Sequence, residues 1–207
     1  MSKKVLILFF HPRFEDSQAN KELVSAIKNV DNVTFRDLYE YYPDFHVDVK
    51  LEQQLLKEHD IIIWQHPFYW YSCPPLMKQW IDLVLEYGWA YGKDGDQLKG
   101  KYFLSAITSG GNFDVYRKGG RNNFTYKELL QPFEQTVNHC LGHYLPPFIV
   151  PSALRCSKQE LQNYGAFYAE LVAGIQNTET PLQEFLKYNY FNDLSSEKWK
   201  ALFYKQQ

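Results

Sequence analysis

Apolar residues along this chain fall into two alternating patterns. Unbroken runs rich in β-formers, Val5 to Phe10, Ile61 to Trp64 and Tyr102 to Thr108, read as strands buried on both faces. Val33 to Leu38 reads as a further short strand, and a last one lies within Tyr144 to Val150. Between them the period changes to that of a helix. Ser17 is placed to cap a helix that puts Ala19, Leu23, Ala26, Ile27 and Val30 on one face. A helix over Val49–Glu58 is expected to turn Leu51, Leu55 and Leu56 inward. Pro74-Pro75 opens a helix with a stripe of Leu76, Met77, Trp80, Ile81, Val84 and Leu85. A helix from Tyr126 to Leu141 would bury Leu129, Leu130, Phe133 and Val137. Ser157 and Glu160 form a capping box for a long helix carrying Leu161, Tyr164, Tyr168, Leu171 and Ile175.

Alternating strands and helices of this kind predict an α/β domain: a five-stranded parallel sheet of order 2-1-3-4-5 with helices on both faces. The domain is expected over residues 1–176, with 177–207 a helical extension. In that extension Thr180-Pro181 and Ser195-Ser196 read as starts of two short helices, the second carrying an apolar face of Trp199, Leu202 and Phe203. It suits a strap on the domain or on a partner subunit better than a second domain.

Composition narrows the function classes. A net charge of −2 gives no electrostatic reason to expect nucleic acid. Three cysteines without CxxC spacing suit a reducing compartment rather than a disulfide framework. The N-terminal apolar run is too short for a signal peptide, and no run approaches the ~20 residues that span a bilayer. A soluble, cytoplasmic protein is therefore expected. The aromatic share of 17% is high and points to a bulky core, an interface or a flat-ligand site.

Ligands of an open parallel sheet bind beyond the carboxyl ends of its strands, where strand order reverses. Three loops are selected by that rule. HPRFEDSQAN lacks both GxGxxG and a P-loop, yet leads into a helix N-terminus suited to a phosphate, with Ser17 and Asn20 as donors and His11 at the strand end. Ser17 as a plain cap and Asn20 as a solvated residue are the alternative. HPFYWYSCPP gathers Phe68, Tyr69, Trp70 and Tyr71 at a strand end, as wall for a planar heterocycle or as a dimer contact. TSGGNFDVYRKGGR offers Gly110-Gly111 for close backbone approach, or a simple glycine turn.

The ordered motifs HPxxxxSxAN, YPDFHVDxxxEQ, WQHPxxWYSxPPLxKxWID, GWAYG and TSGG resemble those of flavodoxin-like NAD(P)H:quinone oxidoreductases. Within that family the chain is most similar to regulatory subunits of glutathione-gated potassium efflux systems, over roughly residues 4 to 175. The resemblance implies FMN, with FAD as the longer alternative, held by His11, the turn Ser17, Gln18, Ala19 and Asn20, the segment Phe68, Tyr69, Trp70 and Tyr71, and the segment Thr108, Ser109, Gly110 and Gly111. It implies hydride transfer from NAD(P)H and then to a quinone, in a homodimer whose Trp89 and Tyr91 reach the partner's site. It also implies a membrane potassium efflux transporter as a partner, and with it a peripheral place at the inner face of the membrane. Catalytic assistance by a Tyr and a His maps to Tyr116 and Asn122. The second is a departure, because asparagine cannot act as a proton-exchanging acid or base near neutral pH.

Three weaker signals remain. His11 and His66 end adjacent strands, but no third ligand accompanies them, so no metal is expected. Cys73 lies beside the aromatic loop without a resolving cysteine and is read as a packed side chain. Glu52-Gln53 reads equally as a cofactor contact or a solvated helix face.

Overall fold

The computed structural model describes residues 2–194. Its sheet is parallel throughout, with strands β1 (Val5–Phe9), β2 (Val33–Asp37), β3 (Ile61–Pro67), β4 (Tyr102–Thr108), β5 (His143–Tyr144) and β6 (Phe148–Val150). Strand order is β2-β1-β3-β4-β5, with β6 also on β4. The predicted last strand is thus split in two: Pro146-Pro147 offers no amide to the ladder and interrupts it. Strand β3 runs through Gln65, His66 and Pro67 instead of closing at Trp64.

Helices cover both faces. On one lie α2 (Leu38–Tyr41), α3 (Val49–Glu58), α4 (Pro75–Val84), α5 (Tyr126–Leu129) and α6 (Gln131–His139), packed on Leu6, Leu8, Ile62, Trp64 and Phe103. On the other lie α1 (Gln18–Ile27) and α7 (Lys158–Asn177), packed on Val5, Ile7, Ile61, Ile63 and Leu104. The helix expected from Tyr126 to Leu141 breaks at Leu130, because Pro132 starts a new helix there, and Leu129 is only partly buried. The capping box of α7 forms as predicted, Ser157 Oγ accepting from the Glu160 amide.

Helix α3 is rotated from its predicted phase. Leu51 is 42% exposed, whereas Glu52 is fully buried and Gln53 nearly so. Glu52 faces inward because Arg36 of β2 lies 2.7 Å from its Oε1, Tyr42 donates to the same oxygen at 2.8 Å, and Trp80 Nε1 donates to Oε2 at 3.0 Å. The solvated-face reading of Glu52-Gln53 is thereby corrected: a buried carboxylate is tolerated where its charge is paired and its lone pairs are used.

Beyond α7, the chain forms 3-10 turns at Leu182–Lys187 and Phe191–Asp193. Leu182, Phe185 and Phe191 are buried in the α1–α7 core, so this part straps the domain itself. Asn192 exchanges two hydrogen bonds with Ile149, covering the backbone of β6. The helix expected from Ser195-Ser196, with Trp199, Leu202 and Phe203, lies outside the described residues. Among the described residues no helix is long and apolar enough to cross a membrane.

Candidate active site

A cavity of about 830 Å³ opens at the carboxyl ends of β1, β3 and β4, the crevice the topology selects. It brings together nine of the predicted residues: His11, Ser17, Gln18, Ala19, Phe68, Tyr69, Thr108, Ser109 and Gly110. Volumes of this order are typical of small-molecule and cofactor sites.

The floor is built by α1. Ser17 caps the helix, its Oγ accepting from the Asn20 amide at 3.3 Å. The amides of Gln18 and Ala19, in the first turn, have no acceptor within the helix and face the positive end of its dipole. Asn20 is fully buried and ties the floor instead of reaching into it: its Nδ2 donates to Ser17 Oγ at 3.0 Å and Thr108 Oγ1 at 3.1 Å. The solvated alternative is replaced by this internal role.

His11 lies at the end of β1, close to the ring of Tyr69 (centroids 6.3 Å apart). Burial pushes its pKa down to about 4, so the ring is neutral near pH 7. Nδ1 accepts from the Arg13 amide at 3.1 Å, which leaves the proton on Nε2 as a donor.

The aromatic loop divides. Phe68 and Tyr69 line the cavity, whereas Trp70, 91% exposed, and the exposed Tyr71 do not. Ser72 donates to Tyr69 O at 2.9 Å, closing a turn whose central residues, Trp70 (φ 48°) and Tyr71 (φ 63°), are both left-handed. Without glycine this costs about 1–2 kcal/mol per residue. Strain of this sort collects at ligand clamps and active sites.

Tyr116 is buried and stacks on Tyr126 at 4.0 Å, with Phe68 edge-on at 5.8 Å and Tyr71 at 6.4 Å. Tyr71 Oη donates to Asn122 Oδ1 at 3.4 Å. The two predicted catalytic residues therefore meet through Tyr71 beside the cavity rather than on its wall. Gly111 is required here: a Cβ would lie 2.7 Å from Val115 and 2.8 Å from Tyr116. Ser109 Oγ is used within the loop, donating to Gly111 O at 2.9 Å beside Tyr126 Oη.

Ala153, Leu154, Cys156, Lys158 and Leu161 complete the far wall, and sequence reading missed them. Nothing in their composition marks them; only the return of the chain from β6 to α7 brings them there. Burial pushes the Cys156 thiol pKa up, away from the reactive thiolate. No group of three metal-ligating side chains occurs among the described residues.

A parallel sheet in this order, with an anion-suited helix start and an aromatic wall at its switch point, defines the flavodoxin-like class. The chain belongs to that family: the model of the flavodoxin-like fold matches residues 3–172. It is 44% identical to the glutathione-regulated potassium-efflux system ancillary protein KefG of Enterobacter sp. (strain 638), over 82% of this chain and 93% of that one. The general stress protein 14 of Treponema denticola, solved in complex with FMN, is 38% identical with a TM-score of 0.80, covering 84% of this chain and 99% of that one. An NADPH-quinone reductase from P. pentosaceus is 33% identical with a TM-score of 0.75, covering 81% and 96%.

Proposed function

We propose that this chain is a flavoprotein oxidoreductase that binds FMN in the cavity and passes two electrons from NAD(P)H to a quinone-type acceptor. The observation that carries the reading is the convergence in one cavity of a helix-start donor set, a neutral His11 and the Phe68–Tyr69 wall. The chemistry of that set fits FMN. Ser17, Thr108 and the amides of Gln18 and Ala19 would hold a phosphate, and Phe68, Tyr69 and His11 would border a planar ring system. FMN, once bound, supplies the hydride-accepting and hydride-donating chemistry; the protein supplies position and hydrogen bonds. Gly110 and Gly111 allow the backbone close to the ring. Tyr116 would hold a proton near the acceptor, while Asn122 orients Tyr71 without exchanging protons. FMN is preferred because the cavity offers one helix-start phosphate site, at Ser17 to Ala19. Purified protein reconstituted with FMN should quench its fluorescence at one flavin per chain and reduce a quinone with NADH or NADPH. Binding of neither FMN nor FAD below about 10 μM refutes the cofactor assignment.

A second reading is favoured by the 44% identity to KefG across 82% of this chain. In it the protein serves as ancillary subunit of a membrane potassium efflux transporter, held at the inner membrane face by that partner, with turnover secondary. Potassium efflux from cells carrying the transporter, measured with this chain and with a variant lacking turnover, separates the two readings. A homodimer belongs to either. Trp89 and Tyr91 are each partly buried against their own core. The exposed Leu51, Leu83 and Tyr87 are the better candidates.

A further inference from the structure

The cavity floor rests on a buried chain of polar side chains with one consistent direction. Tyr168 Oη donates to Gln65 Oε1 at 3.1 Å, Gln65 Nε2 donates to Asn20 Oδ1 at 3.2 Å, and Asn20 Nδ2 donates to Ser17 Oγ and Thr108 Oγ1. Tyr168, Gln65 and Asn20 are each fully buried. Tyr168 is stacked on Phe148 at 5.3 Å and, among the described residues, makes one hydrogen bond, to Gln65.

That single bond sets the direction of the whole chain. A phenol proton in this apolar core needs an acceptor, and among the described residues only the amide oxygen of Gln65 offers one. Gln65 must then turn its NH₂ to Asn20, and Asn20 its NH₂ to the two hydroxyls. Ser17 Oγ already accepts from both the amide and the side chain of Asn20, so both its lone pairs are used. Its proton is left to point elsewhere, and Thr108 Oγ1 is biased the same way. With the amides flipped, both hydroxyls would donate to Asn20 Oδ1 and the cavity would lose two donors.

We propose that Tyr168, from helix α7 on the same face of the sheet as α1, is a positioning residue that makes this floor donate, selecting an acceptor-only anionic group such as the phosphate of FMN. The inference rests on the flavin reading above and adds what distinguishes FMN from riboflavin, which lacks that phosphate. Hydrogen bonds to a charged acceptor are the strong kind, so withdrawing these donors costs FMN about tenfold or more and riboflavin little.

The test is the ratio of FMN to riboflavin affinity, measured by fluorescence quenching of apoprotein. Tyr168→Phe removes the directing proton, and the ratio should fall about two- to fivefold as both amide orientations become populated. Gln65→Glu offers acceptors to both neighbours, so Asn20 must flip, and the ratio should fall about tenfold or more. Thr108→Val should lower the ratio in the wild type but add little in the Gln65→Glu background. Equal losses for both flavins, an unchanged ratio, or additive Thr108→Val and Gln65→Glu effects overturn the relay while leaving the flavin site intact. Should Gln65→Glu not fold, the ratio of Tyr168→Phe decides alone. Wild-type protein that binds neither flavin overturns the functional reading and the relay with it.

Discussion

Removing the carboxylate of Glu52 should be among the most damaging single changes outside the cavity. Glu52 is fully buried, and its partner Arg36 is 9% exposed in its side chain. Glu52→Ala would leave the Arg36 guanidinium without its counter-ion and would strand the Tyr42 hydroxyl and Trp80 Nε1. Breaking one side of a buried pair costs about 3–5 kcal/mol, chiefly as an uncompensated buried charge. For a chain of this size each kcal/mol shifts Tm by about 2–4 °C, so a fall of roughly 6–20 °C is expected. Urea and thermal unfolding of the variant measure both quantities. The double variant Arg36→Met/Glu52→Met removes the pair together and should recover much of the loss, because the desolvation penalty goes with the charges. A Glu52→Ala variant within about 1 kcal/mol of wild type, or a double variant as unstable as the single, would refute the claim that a desolvated pair dictates the phase of α3.

The remaining predictions concern pH, proton supply and the flavin loop. Burial holds His66 at a pKa of about 4, so in the folded state it stays neutral where the unfolded chain, near 6.5, takes a proton. Stability should therefore be unaffected above pH 6.5 and fall as pH drops from 6.5 toward 4, by about 1.4 kcal/mol per pH unit for this group. Asp37, raised by burial to about 6 from 3.8, acts in the opposite sense and loses stability as pH rises through that window. His66→Phe should flatten the acid limb of a denaturation-versus-pH curve, and an unchanged slope would count against the assignment. Asn122→His should raise quinone turnover by tenfold or more and introduce a pH dependence near 6.5, if proton delivery limits the rate. Tyr116→Phe should slow flavin reduction in stopped-flow without releasing flavin; wild-type behaviour of both variants would withdraw these roles. Gly111→Ala should displace Tyr116 and weaken FMN binding in a fluorescence titration, and wild-type affinity would show that the loop yields without consequence.

Much of this fold was legible because burial on both faces leaves a plain mark. The runs of β1, β3 and β4 and the capping box of α7 needed no partner to be recognised. Helix α3 was misphased because periodicity ranks Leu51 above Glu52, whereas Arg36, distant in sequence, decides which one is buried. The cavity's place followed from the switch-point rule together with unusual loop composition, while Gln18, Ala19 and Ser109 were implied by the family resemblance. The internal bonds of Asn20 were not legible, because a side-chain amide looks the same in sequence whether it serves a ligand or its neighbours. The Tyr168–Gln65 link spans 103 residues and leaves no local signature. Trp70 shows the converse: an aromatic cluster is visible in sequence, but the left-handed turn that turns this ring outward is not.

The most direct measurement of the central claim is anaerobic titration of FMN-reconstituted protein with NADH and with NADPH, followed by addition of a quinone. The visible flavin absorption should bleach with one equivalent of at least one of the two nucleotides and return in full with one equivalent of quinone. Protein that binds FMN at one per chain but whose absorption is unchanged by both nucleotides would contradict the account, leaving a flavin-binding protein without this oxidoreductase chemistry.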